Sequence, residues 1–243
     1  MPSLAIARHE FRILKTEPMP VIMMTLMPLV LMALFKPVFE TGAAQSVPGM
    51  TVLFAFFLVG QVGYVFFREH AWGTWERLRA TDLGRGQIMA GKTVIPLAIF
   101  SAQFTILFSL GHVLFGLRVQ GSVGALVAVG AALAVALTAF GLALVAVCRS
   151  YMSLQTIVNI GALVFAGAAG ALVPFALLPS WIRAISPYTP GYWAMKGFTR
   201  AIQGPATLSD FVAPVGVLLG WTALFIAVTA WRLRFEETKT GWV

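Results

Sequence analysis

Charge is what this sequence has least of: 11% of its 243 residues are Asp, Glu, Lys or Arg, against about a quarter in an ordinary soluble domain. With 59% hydrophobic residues and a mean hydropathy of +0.86, a water-facing globule is excluded. Cysteine is nearly absent. The single Cys148 can close no internal disulfide and, at the end of an apolar run, reads as packing. The three histidines, His9, His70 and His112, fall in separate segments without ligand spacing, so no metal site is expected. None of the nine acidic residues (Glu10, Glu17, Glu40, Glu69, Glu76, Asp82, Asp210, Glu236 and Glu237) falls inside a long apolar run. That argues against an intrinsic proton-driven carrier, which needs an intramembrane carboxylate. Ser109 and His112 share a run but lack the nucleophile-elbow context of an intramembrane protease.

What is present is apolar length. A helix needs roughly 20 apolar residues to cross a bilayer, and six stretches qualify: 18–35, 50–67, 93–117, 123–148, 153–173 and 211–231. The fold expected is an all-α integral membrane protein, one transmembrane domain over residues 1–243. With the N-terminus inside, 12 of the 17 basic residues (Arg8, Arg12, Lys15, Arg68, Arg77, Arg79, Arg85, Lys92, Arg149, Arg232, Arg234 and Lys239) lie on the cytoplasmic side. Only Lys36, Arg118, Arg183, Lys196 and Arg200 lie outside. The positive-inside rule selects that orientation, with both termini cytoplasmic. The net charge of +8 thus sits at membrane edges and is not a nucleic-acid footprint.

Ahead of the first span, residues 3–16 carry Leu4, Ala7, Phe11 and Leu14 at helical spacing, with charges on other faces and Ser3 available as N-cap. This predicts an amphipathic helix in the membrane interface. The stretch intersperses charge with apolar residues and is not read as a signal peptide; no lipidation motif accompanies it. Small residues recur in the fourth span (Gly130, Ala134, Thr138, Gly141) and the fifth (Ala162, Ala166, Gly167, Gly170, Ala171), which suits close helix packing in lipid. Gln61, Tyr64, Gln103, His112, Gln155 and Asn159 are polar residues within spans that need partners or a cavity.

Residues 68–92 form the longest cytoplasmic segment. Trp72, Trp75 and Leu78 or Arg79 are spaced so that a short helix presents an aromatic and basic stripe, with Glu76 and Arg77 beside it. Such a stripe either docks a protein or anchors tryptophans at the interface. The segment ends in Gly86-Gln-Ile-Met-Ala-Gly91-Lys92-Thr93, a letter-for-letter phosphate-loop pattern. No strand precedes it and Lys92 abuts a span, so ATP binding is rejected and Lys92 is read as an edge residue.

The same segment resembles the signature of the permease subunits of type-2 ABC exporters, the group that includes daunorubicin-resistance-type drug and lipid export permeases. Arg68, Glu69, Gly73, Thr74, Glu76, Leu78 and Thr81 meet the pattern; Ala71 and Asp82 depart from it, where Glu and Pro are common. A second likeness runs from Leu178-Pro179 through Trp181, Ser186-Pro187 and Pro190 to Tyr192 and Trp193. Three prolines forbid a continuous helix there, and broken helices re-entering the outer leaflet over 174–210 are expected.

The resemblance implies a permease dimer, identical or with a sister chain, in membrane lipid. Two cytoplasmic ATP-binding cassette subunits would carry ATP and Mg, while this chain has no ATPase site or cofactor of its own. The loop Trp72–Leu83 is expected to insert into the ATPase, with Arg68, Glu69, Trp72, Gly73, Thr74, Trp75, Glu76, Arg77, Leu78, Thr81 and Asp82 as coupling residues. Phe54, Phe57, Gln61, Asn159 and Leu163, from the second and fifth spans, are the cargo-path candidates. An apolar path suits a hydrophobic or amphipathic cargo. The alternatives are a membrane scaffold that recruits a partner without transport, and a secondary transporter, which lacks both the carboxylate and paired repeats.

Overall fold

The computed structural model describes residues 2–16, 18–204, 207–233, 239 and 242, with the side chains of 2–5, 20–21 and 38–41 outside the description. The Ser3 cap, the Leu4 contribution to the apolar face and the charges Glu17, Glu40, Arg234, Glu236 and Glu237 therefore lie outside the described residues.

Those residues fold into helices only: α1 Pro2–Thr16, α2 Met19–Leu34, α3 Lys36–Ala71, α4 Trp75–Arg79, α5 Arg85–Phe115, α6 Val123–Val147, α7 Tyr151–Ala168, α8 Ser180–Ile185, α9 Pro190–Ile202 and α10 Ser209–Arg232. Five are long and apolar enough to cross a membrane: Gly42–Ala71 of α3, then α5, α6, α7 and α10. The first expected span, 18–35, is the shorter helix α2, whose apolar part is Ile22–Leu34. At 1.5 Å per residue its 16 residues rise about 24 Å, short of a hydrocarbon core of about 30 Å.

Helix α3 is the axis of the molecule, packing against α5, α6, α7 and α9. It begins 14 residues before the expected start of the second span: Pro37 is accommodated in the first turn, Pro48 lies within the helix, and the chain kinks at Gly42 (φ −139°, ψ 31°). Close approach sets its neighbours. A Cβ on Gly141 of α6 would lie 2.8 Å from Val62 and 3.2 Å from the Val59 carbonyl, so the small-residue row of the fourth span packs within the subunit. Gly49 meets the backbone of Ala171, where no Cβ would fit against the carbonyl.

Helix α5 starts eight residues earlier than the expected third span. Gln87 accepts from the Gly84 N–H at 3.1 Å, a capping contact that starts the helix inside the expected loop. The phosphate-loop look-alike 86–93 is thus the opening of a helix. Helix α7 is capped by Ser150, which accepts from the Ser153 N–H at 3.3 Å, and stops at Ala168 rather than Val173, where Gly170 turns the chain at φ +77°.

Beyond it the chain breaks into a 3-10 turn Phe175–Leu177, α8, a second 3-10 turn Ser186–Tyr188, and α9. α9 is no surface loop. It packs against α3, α6, α7 and α10, burying Ala194, Met195, Phe198, Ala201 and Ile202. The polar residues Gln103 and His112 serve as structural links: Gln103 donates to the Met24 carbonyl at 3.2 Å, joining α5 to α2, and His112 Nδ1 donates to the Leu117 carbonyl at 2.8 Å.

Candidate functional site

At the end of α3 that carries the α3–α4 turn, four ionised side chains meet in the interior. Lys92 is 1% exposed, Glu10 2%, Arg68 4% and Glu69 6%. The Lys92 ammonium donates to Glu10 Oε1 at 2.8 Å and to Glu69 Oε1 at 2.9 Å. Arg68 donates to the other oxygen of Glu10, and the Thr74 hydroxyl donates to Glu69. Two cations face two anions, so the cluster is neutral. Such a group is kept only if each member is paired, since moving one ion out of water costs several kcal/mol. Its members come from α1, α3, the α3–α4 turn and α5, and the network clamps these segments to one another.

The network is built from helix periodicity. Glu10 sits on the face of α1 that also carries Ile6, Ile13 and Leu14, turned toward α5, whereas Phe11 is exposed, its ring 5.0 Å from the Lys15 ammonium. Arg68 and Glu69 occupy the last turn and a half of α3. The Arg68 guanidinium lies 5.5 Å from the Tyr64 ring centre and 5.1 Å from that of Trp72, in cation–π range.

The loop then turns at Gly73, whose φ of +66° is costly for any residue with a Cβ. Trp75, 5% exposed, turns inward onto His70 (ring centres 4.7 Å) and Phe66 (6.5 Å). The expected stripe is therefore split. Trp75 is a buried anchor and Leu78 is half-buried against the core, while Trp72 is half-exposed over Arg68 and Glu76, Arg77, Arg79, Thr81 and Asp82 face outward. Trp75 and Leu78, three positions apart on α4, share its inner face, which leaves Glu76, Arg77 and Arg79 outward. Between α1 and the loop opens a cleft of about 580 Å³, with Glu10, Glu69 and Lys92 in its floor and Ile6, His9, Arg77, Leu78, Thr81 and Leu83 on its walls.

Of the coupling candidates, Arg68, Glu69 and Thr74 share the network, Gly73 and Trp75 shape the turn, Trp72 covers Arg68, Leu78 packs inward, and Glu76, Arg77, Thr81 and Asp82 form the exposed tip. The sequence reading missed Glu10 as a partner and took Lys92 for an edge marker. The signal for Glu10 was an acid interrupting an apolar stripe at positions 6, 13 and 14. Also missed was the chain end: Lys239 Nζ donates to the Cys148 carbonyl at 2.6 Å, and Trp242 packs on Tyr64 and Tyr151 with ring centres 5.6 and 5.5 Å away.

Among the described residues, the cargo-path candidates lie in different surroundings. Phe54 is buried beside half-buried Phe57, at 5.6 Å between ring centres. Gln61 faces a narrow crevice between α1, α3 and α5. Asn159, which accepts from Gln155 at 3.0 Å, and Leu163 lie on the exposed face of α7.

Compared with known proteins, the chain matches the sequence profile of the ABC-2 type transporter family over residues 3–202. It is also 25% identical over 194 residues to the linearmycin resistance permease protein LnrN of Bacillus subtilis (strain 168). That alignment takes in 80% of this chain and 50% of LnrN, so the chain spans about half the length of that relative.

Proposed function

Because this chain belongs to the ABC-2 type transporter family, we propose that it is the membrane permease subunit of an ATP-driven exporter, with a hydrophobic or amphipathic cargo such as a drug, lipid or glycolipid. Separate ATP-binding cassette subunits carry ATP and Mg, and a second copy or sister permease completes the pathway. In this reading α2 is a sixth, short span and α1 lies in the cytoplasmic interface. Both termini are then cytoplasmic in the cell membrane. The α3–α5 loop is the coupling element.

The observation that carries the proposal is the Glu10–Arg68–Lys92–Glu69 network. A loop that only recruits a partner needs no rigid link to the spans. Here the exposed tip, Glu76 to Asp82, continues into Trp75 and Thr74, then into an ion cluster fixed to α1, α3 and α5. Push on the tip and three helices receive it. Cargo passes along the exposed face of α7 with Asn159 and Leu163, and past Gln61, where two permeases face each other.

The test is a mild-detergent pull-down of tagged protein from its native host, comparing wild type with Glu76→Ala/Arg77→Ala/Asp82→Ala. An ATP-binding subunit that arrives with wild type and is lost with the variant supports the coupling role. If none arrives with a folded wild type in several detergents, the exporter loses its energy source and a scaffold takes first place.

A further inference from the structure

At the opposite end of α3 a second cleft, of about 400 Å³, is framed by α9, the end of α7 and the start of α10. Its volume falls in the usual range for small-molecule sites, about 300–1,000 Å³. Gln45 and Arg68 are separated by 23 positions of α3, about 35 Å at 1.5 Å per residue. The hydrocarbon core is about 30 Å thick, so this cleft lies at the far membrane boundary when the ion network lies at the near one.

Two cations and two amides stand among its polar groups. Lys196 and Arg200 are one turn apart on α9, with Thr199 beside them, Tyr192 one turn before and Gln45 across the cleft. One carboxylate, Asp210, faces them. It stands 3.5 Å from Arg200 and accepts from the Thr207 N–H at 2.8 Å and the Thr207 hydroxyl at 3.1 Å. That leaves an excess of one positive charge. Lys196 has no acidic partner among the described residues; its ammonium sits 4.9 Å from the Trp193 ring centre.

Met195 and Phe175 supply an apolar wall. Trp181 and Tyr188, both exposed, and Trp193, whose indole N–H donates to the Pro187 carbonyl at 2.7 Å, surround this end, as aromatic residues do at headgroup depth. A free anion needs the cations but not the apolar wall or the aromatic belt; an amphiphile uses all three.

We propose that this cleft binds the anionic headgroup of a membrane amphiphile, a phosphate or carboxylate held by Lys196 and Arg200 with its chain start against Met195 and Phe175. The proposal rests on the permease reading only for which membrane face the site occupies. Its test measures lipid retention, not ATP coupling, so failure of one is distinguishable from failure of the other.

The experiment is native mass spectrometry of the full chain released from phosphatidylcholine nanodiscs doped with phosphatidylglycerol, with and without inorganic phosphate. Wild type retains phosphatidylglycerol over phosphatidylcholine, and Lys196→Gln/Arg200→Gln loses about fivefold in that preference for each cation removed. Lys196→Arg, which keeps the charge, retains it and controls for folding, as does Arg183→Gln outside the cleft. Equal retention of the two lipids by wild type, or unchanged preference in the double variant, overturns the proposal. Displacement of the lipid by inorganic phosphate alone overturns the amphiphile and leaves a small-anion site.

Discussion

Replacing Glu10 by glutamine keeps the shape of the side chain and removes one charge from a cluster of four. Glu10 accepts from both Arg68 and Lys92. Lys92 keeps Glu69 at 2.9 Å, but Arg68 loses its carboxylate while only 4% exposed. Removing one partner of a buried pair costs about 3–5 kcal/mol because the remaining ion stays desolvated, and Lys92's second contact places the expected loss near 3 kcal/mol.

For a chain of this size about 1 kcal/mol moves the unfolding midpoint by about 2–4 °C, so thermal unfolding in nanodiscs should fall by roughly 6–12 °C. The control is Glu76→Gln on the exposed tip, where surface substitutions stay within about 0.5 kcal/mol. Lys92→Met should be similarly damaging. If the network is one unit, Glu10→Gln/Lys92→Met costs clearly less than the sum of the two single variants, since contacting residues couple by about 0.5–3 kcal/mol. A Glu10→Gln midpoint indistinguishable from wild type, or strict additivity, refutes the clamp.

Trp75→Ala removes the anchor of α4 and should cost about 3–5 kcal/mol in stability, read as a lower unfolding midpoint and faster proteolysis within 72–84. Gly141→Val drives a branched side chain into Val62 and the Val59 carbonyl and should cost at least about 1–3 kcal/mol, visible as reduced folded yield by fluorescence-detected size exclusion. Trp242→Ala removes the ring that packs on Tyr64 and Tyr151 and should leave the global midpoint nearly unchanged, while raising amide exchange at Lys239 and at position 242.

Long apolar periodicity was legible because helix length in a bilayer is set by hydrophobic thickness: α6 and α10 match their expected spans to within two residues. The start of α3 was not, since the apolar run begins only near Met50 while the helix extends back through the kink at Gly42 to Lys36. Helix α7 was read too long because Leu172 and Val173 are apolar, but Gly170 and Pro174 decide its end. Within the site, Arg68, Glu69 and Thr74 were marked by local pattern. Glu10 and Lys92 stand 82 positions apart, and only the packing of α1 on α5 brings them together. No local pattern encodes that. Trp75 was assigned outward because spacing names a face without saying which side of a one-turn helix meets the core.

In the proposed exporter the α3–α5 loop tip touches an ATP-binding subunit. A photo-crosslinking amino acid placed at Arg77, and separately at Tyr188 at the opposite end, tests it directly in the native host. An ultraviolet-dependent adduct with an ATP-binding cassette protein is expected from position 77 and none from 188. An adduct from 188, or no adduct from 77 in a correctly folded protein, contradicts it.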